Sequence, residues 1–310
     1  MPYFRTNIRK GGGSTGTPDL TYAVSYIKDG QTIPLDSSVR GGYSSAGSSF
    51  NTKVIIGNNV SICDRLFYSL ARFNQPVTIP NSVKSCSQMF ASCPNMNIAP
   101  VEIPNNVVDC SSMFAGCTAF DQPVSGATNA ENCSLMFQAC TSFNQPFTMP
   151  SKAINCANMF HNCRKFNQPI TLPNTVYNCA TMFHSCNVFN QPITLPQNVD
   201  NCYRMFSNCN SFNQEIAIPK NVVNASYMFA DSPNMISNIY INGNPEVNYI
   251  VTSKNKSRVM NIFVTSLFDK NMVMMLNGNK TYANLQPLSD GNGYFSANYN
   301  CYIYNNYVAI

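Results

Sequence analysis

From Phe166 to Cys186 the chain reads F-N-Q-P-I-T-L-P-N-T-V-Y-N-C-A-T-M-F-H-S-C, and this phrase recurs with a 23-residue period. Neighbouring copies place one cysteine at Cys133, Cys156, Cys179 and Cys202 and a second at Cys140, Cys163, Cys186 and Cys209. Between them lies a Met-Phe pair, at Met136-Phe137, Met159-Phe160, Met182-Phe183 and Met205-Phe206. A fixed period of this length signifies a solenoid, because one unit is too short to bury its own apolar face and must stack on its neighbours. Such a protein is a built surface more than a pocket.

Within the copy that starts at Phe166, Pro-Ile-Thr-Leu-Pro alternates apolar and polar residues between prolines. Ile170 and Leu172 should point inward from a short strand, with Thr171 outward. Cys179, Met182, Phe183 and Cys186 follow at i, i+3, i+4 and i+7, a spacing that predicts a helix of about two turns. The Asn and Pro residues between supply the turns. One coil is therefore expected to be strand, turn, short helix, turn, and the fold an α/β solenoid with a parallel sheet. The same register places strand triplets at Val54-Ile55-Ile56, Val77-Thr78-Ile79, Val101-Glu102-Ile103, Phe147-Thr148-Met149, Ile193-Thr194-Leu195, Ile216-Ala217-Ile218 and Ile239-Tyr240-Ile241. Val124-Ser125-Gly126 is a weaker copy, and one extra residue near Ala99 accounts for the single spacing of 24. Nine or ten coils at about 4.8 Å each would form a rod roughly 45 Å long.

Four segments follow. Residues 1–19 form a basic, aromatic arm containing Tyr3, Phe4, Arg5 and Arg9, with a glycine tether at Gly11-Gly12-Gly13; it reads as a docking anchor or as a loose terminus. Residues 20–49 form an N-terminal cap with a hairpin signal at Asp29-Gly30. Residues 50–264 are the solenoid. In residues 265–310 the period fails; strands at 272–276, 294–304 and 306–310, with turns at Asn277-Gly278 and Asp290-Gly291, predict a small β cap. Its Tyr302, Tyr304 and Tyr307 read as a contact patch or as the outer side of alternating strands.

The 310 residues include 19 Lys+Arg and 14 Asp+Glu, giving a net charge of +5. Charged residues are scarce and the net charge is only mildly positive, so the electrostatic footprint of a nucleic-acid partner is missing. Asn, Ser, Thr and Tyr dominate the polar positions and suit hydrogen bonding to glycans or protein coats. No run of eighteen apolar residues occurs, and Met1 to Lys10 has basic residues with no apolar segment behind them, so neither membrane insertion nor a secretory leader is expected.

Thirteen of the 14 cysteines fall in the two repeat columns. On a helix the two cysteines of one copy would lie roughly 10 Å apart, too far for a disulfide. Stacked free thiols in a reducing compartment are the simpler reading, with bridges between coils as the alternative. The only histidines, His161 and His184, sit one step past the apolar face and are expected to face solvent; shared zinc ligation with Cys163 and Cys186 would need a conflicting geometry, so no metal site is expected. No phosphate loop, paired carboxylates or exposed thiolate is visible, so neither a cofactor nor catalysis is expected. Asn144, Asn167, Asn190 and Asn213, with Gln145, Gln168, Gln191 and Gln214, read first as a turn ladder linking coils. The outward strand column of Thr78, Glu102, Thr148, Thr171 and Thr194 is the candidate binding surface, although β-branched residues also simply suit an exposed strand.

The phrase C-x-x-M-F-x-x-C-x-x-F-N-Q, at Cys156 to Gln168 and Cys179 to Gln191, resembles the BspA-like leucine-rich repeat of mycoplasma and Firmicute surface proteins. The phrases I-P-N-S-V at Ile79 to Val83 and L-P-N-T-V at Leu172 to Val176 resemble its treponemal-type version. Phe73, Phe120, Phe143, Phe166, Phe189 and Phe212 take the place of that family's leading Leu. The resemblance implies a right-handed leucine-rich-repeat solenoid used for adhesion, with no catalytic residues. The arm and tether loosely resemble docking arms of phage accessory proteins. The expectation is thus a non-catalytic solenoid on a phage virion, assembled in the host cytoplasm, docked on other virion proteins through its arm and able to bind a host glycan or surface protein. The alternatives are a bacterial cell-surface adhesin and a polysaccharide depolymerase. The sequence sets no oligomeric state.

Overall fold

The computed structural model describes residues 33–35, 50–51, 53–58, 60–243, 247, 250, 260–264, 285–289, 293–296 and 301–304. The anchoring arm with Tyr3, Phe4, Arg5 and Arg9, the Asp29-Gly30 hairpin and the strands expected at 272–276 and 306–310 lie outside these residues.

The described strands are β1 (Ile33–Leu35), β2 (Val54–Ile56), β3 (Val101–Ile103), β4 (Val124–Gly126), β5 (Ile216–Ile218), β6 (Ile239–Ile241), β7 (Met260–Val264), β8 (Leu285–Pro287), β9 (Gly293–Ser296) and β10 (Cys301–Tyr304). Pairing is parallel between β1 and β2, between β3 and β4, along β5, β6 and β7, and between β7 and β10. Ile216 faces Ile239 and Ile239 faces Ile262, so one step across the sheet is one sequence period. Strands β10, β9 and β8 then turn antiparallel and close the C-terminal end. A second line of parallel bridges runs Ile62, Ser85, Asp109, Asn132, Asn155, Asn178, Asn201, Asn224, one residue per coil. The molecule is a β-solenoid.

The triplets at 147–149, 170–172 and 193–195 keep the in-out-in pattern, with Ile170, Leu172, Ile193 and Leu195 buried and Thr148, Thr171 and Thr194 exposed. They carry no assigned strand. Each is bracketed by prolines, Pro146 and Pro150, Pro169 and Pro173, Pro192 and Pro196, but so is β3, by Pro100 and Pro104, and β3 still pairs with β4. β5 has Glu215 in place of the first proline, and β6 has neither.

The expected short helices are absent: no helix occurs among the described residues. The Cys-x-x-Met-Phe-x-x-Cys segment is instead a run of overlapping tight turns. In the coil of Cys179, alternate amides bond within the coil, Met182 to the Cys179 carbonyl (3.1 Å), His184 to Thr181 (3.1 Å) and Cys186 to Phe183 (2.9 Å). The amides between them bond to the following coil, Cys179 to Asn201 (2.9 Å), Thr181 to Tyr203 (2.7 Å), Phe183 to Met205 (3.0 Å) and Ser185 to Ser207 (2.9 Å). Thr181 and Ser185 have positive φ, 55° and 61°, as the third residue of a type II turn requires. Asn158 and Asn162, Arg204 and Asn208 repeat this in the neighbouring coils. Apolar residues at i, i+3, i+4 and i+7 face one way on a helix and on such a turn chain alike. A helix would spend every amide on itself, whereas the turn chain leaves half of them to join coils.

Inside run two phenylalanine ladders. Phe137, Phe160, Phe183 and Phe206 stack at 5.5–5.6 Å between centroids, with their planes nearly parallel. Phe143, Phe166, Phe189 and Phe212 stack at 5.9–6.0 Å, and within a coil the two columns touch at 4.2–4.3 Å. Such pairs contribute about 0.5–1.5 kcal/mol each beyond burial. The amide column is a ladder as expected: the backbone amides of Asn144, Asn167, Asn190 and Asn213 donate to the side-chain oxygens of Asp121, Asn144, Asn167 and Asn190, at 2.8–2.9 Å. Gln145, Gln168, Gln191 and Gln214 donate to the same oxygens.

All 14 cysteines are free and buried. The two columns differ in chemistry. Thiols of the second column donate to phenylalanine carbonyls of the preceding coil, Cys163 to Phe137, Cys186 to Phe160 and Cys209 to Phe183, each at 2.9 Å. First-column thiols such as Cys156 and Cys179 have no such partner among the described residues. In the next coil the first column holds Ala225 and the second Ser232, whose hydroxyl donates to the Phe206 carbonyl at 2.7 Å.

Two stability outcomes follow, both measurable by denaturant unfolding. Cys186→Ser is expected to cost under about 1 kcal/mol and Cys186→Ala more, whereas Cys179→Ser, which buries a hydroxyl with no acceptor, should cost about 1–3 kcal/mol and Cys179→Ala less. Gly126→Ala is expected to cost more than about 2 kcal/mol, because Gly126 has φ of 83° and an added methyl would run into the Ile103 carbonyl oxygen.

Candidate functional site

Thr78, Glu102, Thr148, Thr171 and Thr194 all lie exposed at the middle position of successive triplets, each beside inward-facing apolar neighbours. They form one stripe along the strand face, together with Ser125, paired with Glu102, and Ala217.

The stripe does not end at Ala217. Register carries it to Tyr240, Phe263 and Tyr304. Tyr240 stacks on Phe263 at 5.1 Å and Phe263 on Tyr304 at 5.0 Å, while Tyr302 lies 5.1 Å from Phe295. The expected Tyr302 and Tyr304 patch is thus a half-buried aromatic array continuous with the threonine stripe; Tyr307 lies outside the described residues. Tyr240 and Phe263 were legible as the central letters of Ile-Tyr-Ile and Ile-Phe-Val. A cavity of about 310 Å³ opens where hydroxyl column gives way to aromatic column, over Ala217 and between Thr194 and Tyr240. Beside it, Asn238 donates through its amide nitrogen to Glu215 Oε1 (2.8 Å) and to Tyr240 Oη (3.1 Å), and Asn261 donates to Asn238 Oδ1 (3.2 Å).

A second cavity, about 300 Å³, lies over the turn chain and is lined by His184, Arg204, Ser207, Asn208, Tyr227, Ala230 and Asp231. The Arg204 guanidinium carbon sits 4.9 Å from the Tyr227 ring centre and 5.4 Å from that of Tyr203. His161 and His184 meet edge to face at 4.8 Å. The expectation that both face solvent is corrected: they are half-buried, and the Nδ1 atom of each is buried without a hydrogen-bond partner among the described residues. Stacking of coils places a residue one step past the apolar face against its copy in the next coil. Burial lowers the His161 pKa, and burial, with the neighbouring His161 and Arg204, lowers that of His184 to about 4 against the opposing pull of Asp231.

Burial also pushes the thiols up, Cys93 and Cys209 to about 12, so they stay protonated at neutral pH. Among the described residues no three His, Cys, Asp or Glu side chains come together to hold a metal ion, and no helix is long and apolar enough to cross a membrane.

Residues 63–172 and 149–242 match a family model described as Mycoplasma protein of unknown function, DUF285, together reaching from 63 to 242 and so covering more than half of the 310 residues. No curated protein and no solved structure matches the chain.

Because the folded-state pKa of His184 lies below its ordinary value of 6.5, the unfolded chain takes up the proton first. Its contribution to stability is complete above about pH 6.5 and is lost as pH falls towards 4. Melting temperature is expected to decline across that window, and His184→Asn should flatten the decline; equal pH profiles for the two proteins would contradict the assignment.

Proposed function

This chain belongs to the DUF285 family of mycoplasma-type repeat proteins, and from that premise we propose that it is a non-catalytic display scaffold of a phage particle, presenting its outward strand face to a host surface glycan or protein. The observation that carries this reading is the continuous exposed stripe from Thr78 to Thr194, set on ladders of Phe and Cys that fill the inside and on an Asn ladder at the corner before each triplet. A solenoid of this kind places many copies of one side-chain position on a fixed pitch, which suits an extended, weakly charged partner.

The cysteines support assembly inside a cell. In the unfolded chain 14 thiols are exposed, and each column aligns neighbours at about one strand spacing, within disulfide reach. Arrival of all of them in the core as thiols fits folding in a reducing cytoplasm, followed by incorporation into a particle and release by lysis. The residues proposed to dock the rod are the arm residues Tyr3, Phe4, Arg5 and Arg9.

A second reading is a bacterial cell-surface adhesin, and the description of the family as a Mycoplasma protein is consistent with a bacterial setting. Removal of residues 1–16 separates the two. On the virion reading it should lower co-sedimentation with purified particles at least tenfold while the melting temperature stays unchanged; undiminished incorporation overturns the docking role. Loss of the protein from intact cells under external protease would favour the adhesin. Purified protein should release no reducing ends from host capsule or wall glycans.

A further inference from the structure

Along the outward stripe the pattern of hydroxyls breaks at Ala217, and the cavity there is a slot more than a groove. Thr194 and Tyr240 stand two coils apart, about 9.6 Å at the usual strand spacing, with only a methyl group between them. Phe263 covers the Tyr240 ring on the side of the next coil, and the cavity lies on the side of Ala217. The opening is one flat ring thick. Its polar lining is Thr194, Gln197, Glu215 and Asn242, with one carboxylate and no cation.

Two features show a slot arranged for hydroxyl groups. Asn238 holds both Glu215 Oε1 and Tyr240 Oη, and Asn261 holds Asn238, so the acid and the aromatic wall are fixed before anything binds. Preorganisation of this kind lowers the entropic cost of binding. Asn242 Oδ1 is buried and lacks a hydrogen-bond partner among the described residues, an acceptor that a donor in the slot could satisfy. The lone carboxylate disfavours an acidic ligand, and the absence of a lining cation leaves an anion nothing to pair with.

The geometry points to Ala217 as the floor of a binding subsite for one neutral hexopyranose unit of a glycan, its C–H face against Tyr240 and its hydroxyls on Glu215, Gln197, Thr194 and Asn242. This deepens the display reading and rests on it. Aromatic stacking supplies the apolar half of the contact and the amides and carboxylate the polar half. The ladder rings beyond Tyr240 cover one another, so the subsite takes a single sugar unit rather than a row of them.

Ala217→Thr tests the assignment. It restores the residue found at Thr148, Thr171 and Thr194 to an exposed strand position, so folding should be retained, and it fills the slot. Saturation-transfer NMR on the full chain, with the methyl glycosides of glucose, galactose, mannose and N-acetylglucosamine, should detect at least one ligand. Ala217→Thr should weaken it at least tenfold, while Val223→Ala, at an exposed position off the stripe and outside the cavity, leaves it unchanged. Binding of none of the four, binding untouched by Ala217→Thr, or preferential binding of N-acetyltyrosinamide would overturn the subsite. Particle incorporation, which depends on residues 1–16, tests the display reading separately, so the two proposals fail by different measurements.

Discussion

Every coil of this protein is tied to the next by amides that a helix would have kept for itself. In the turn chain between the two cysteine columns, alternate N–H groups close turns within the coil and the others reach across to the carbonyls of the following coil. That alternation forces a left-handed backbone at two positions per coil, occupied mostly by residues other than glycine, among them Thr181, Arg204 and Tyr227. Each such residue costs on the order of 1–2 kcal/mol. The cost is sustained because a relaxed backbone at any one of them would break a bond to the neighbour and misalign the ladders behind it.

The ladders obey the same pitch. Phenylalanine rings settle near 5.5 Å within one column and 6 Å within the other, slightly more than the spacing of paired strands, so they lean against each other in offset stacks. The Asn column fixes the corner before each strand triplet by carrying a side-chain oxygen to the amide one coil on. The second cysteine column gives a carbonyl of the preceding coil a donor while filling apolar space, a pairing that neither Ala nor Leu offers; Ser232 shows that the donor is what this position needs, and Ala225 that the first column needs only small bulk. Cysteine here is a packing residue with a weak hydrogen bond, and burial keeps it unreactive.

Much of this was legible in the residues. The 23-residue period, the in-out-in triplets, the Asn ladder and the buried sulfur columns all follow from spacing, because solenoid geometry turns sequence distance directly into spatial adjacency. The helix did not, since the positions of Cys179, Met182, Phe183 and Cys186 fit a helix face and a turn chain equally. What separates the two is where each amide finds its acceptor, a property of the neighbouring coil that no single copy displays. The histidines were misplaced for a related reason: His161 looks exposed on its own coil and is covered by His184 of the next. The candidate stripe was read from Thr78 to Thr194 and stopped short of Tyr240 and Phe263, which hold the same middle position in later triplets.

A perfect repeat is a poor recognition site. Identical coils present the same side chain at every step, so a ligand can slide from one register to the next with no loss, and affinity for any one place is shared among all. Specificity on such a rod must come from defects in the period. The described strand face has its main defect between Thr194 and Tyr240: Glu215 replaces a proline, Ala217 replaces a threonine, and an aromatic column begins. Here Ile216 donates to Asn238 and β5 pairs with β6. The β5–β6 pairing and the cavity over Ala217 therefore meet at the same break in the repeat. At the C-terminal end, where β10 turns to pair antiparallel with β9, the solenoid must in any case abandon its repeat to stop stacking. Termination of the fold and creation of a distinct surface are thus met by one set of departures from the repeat.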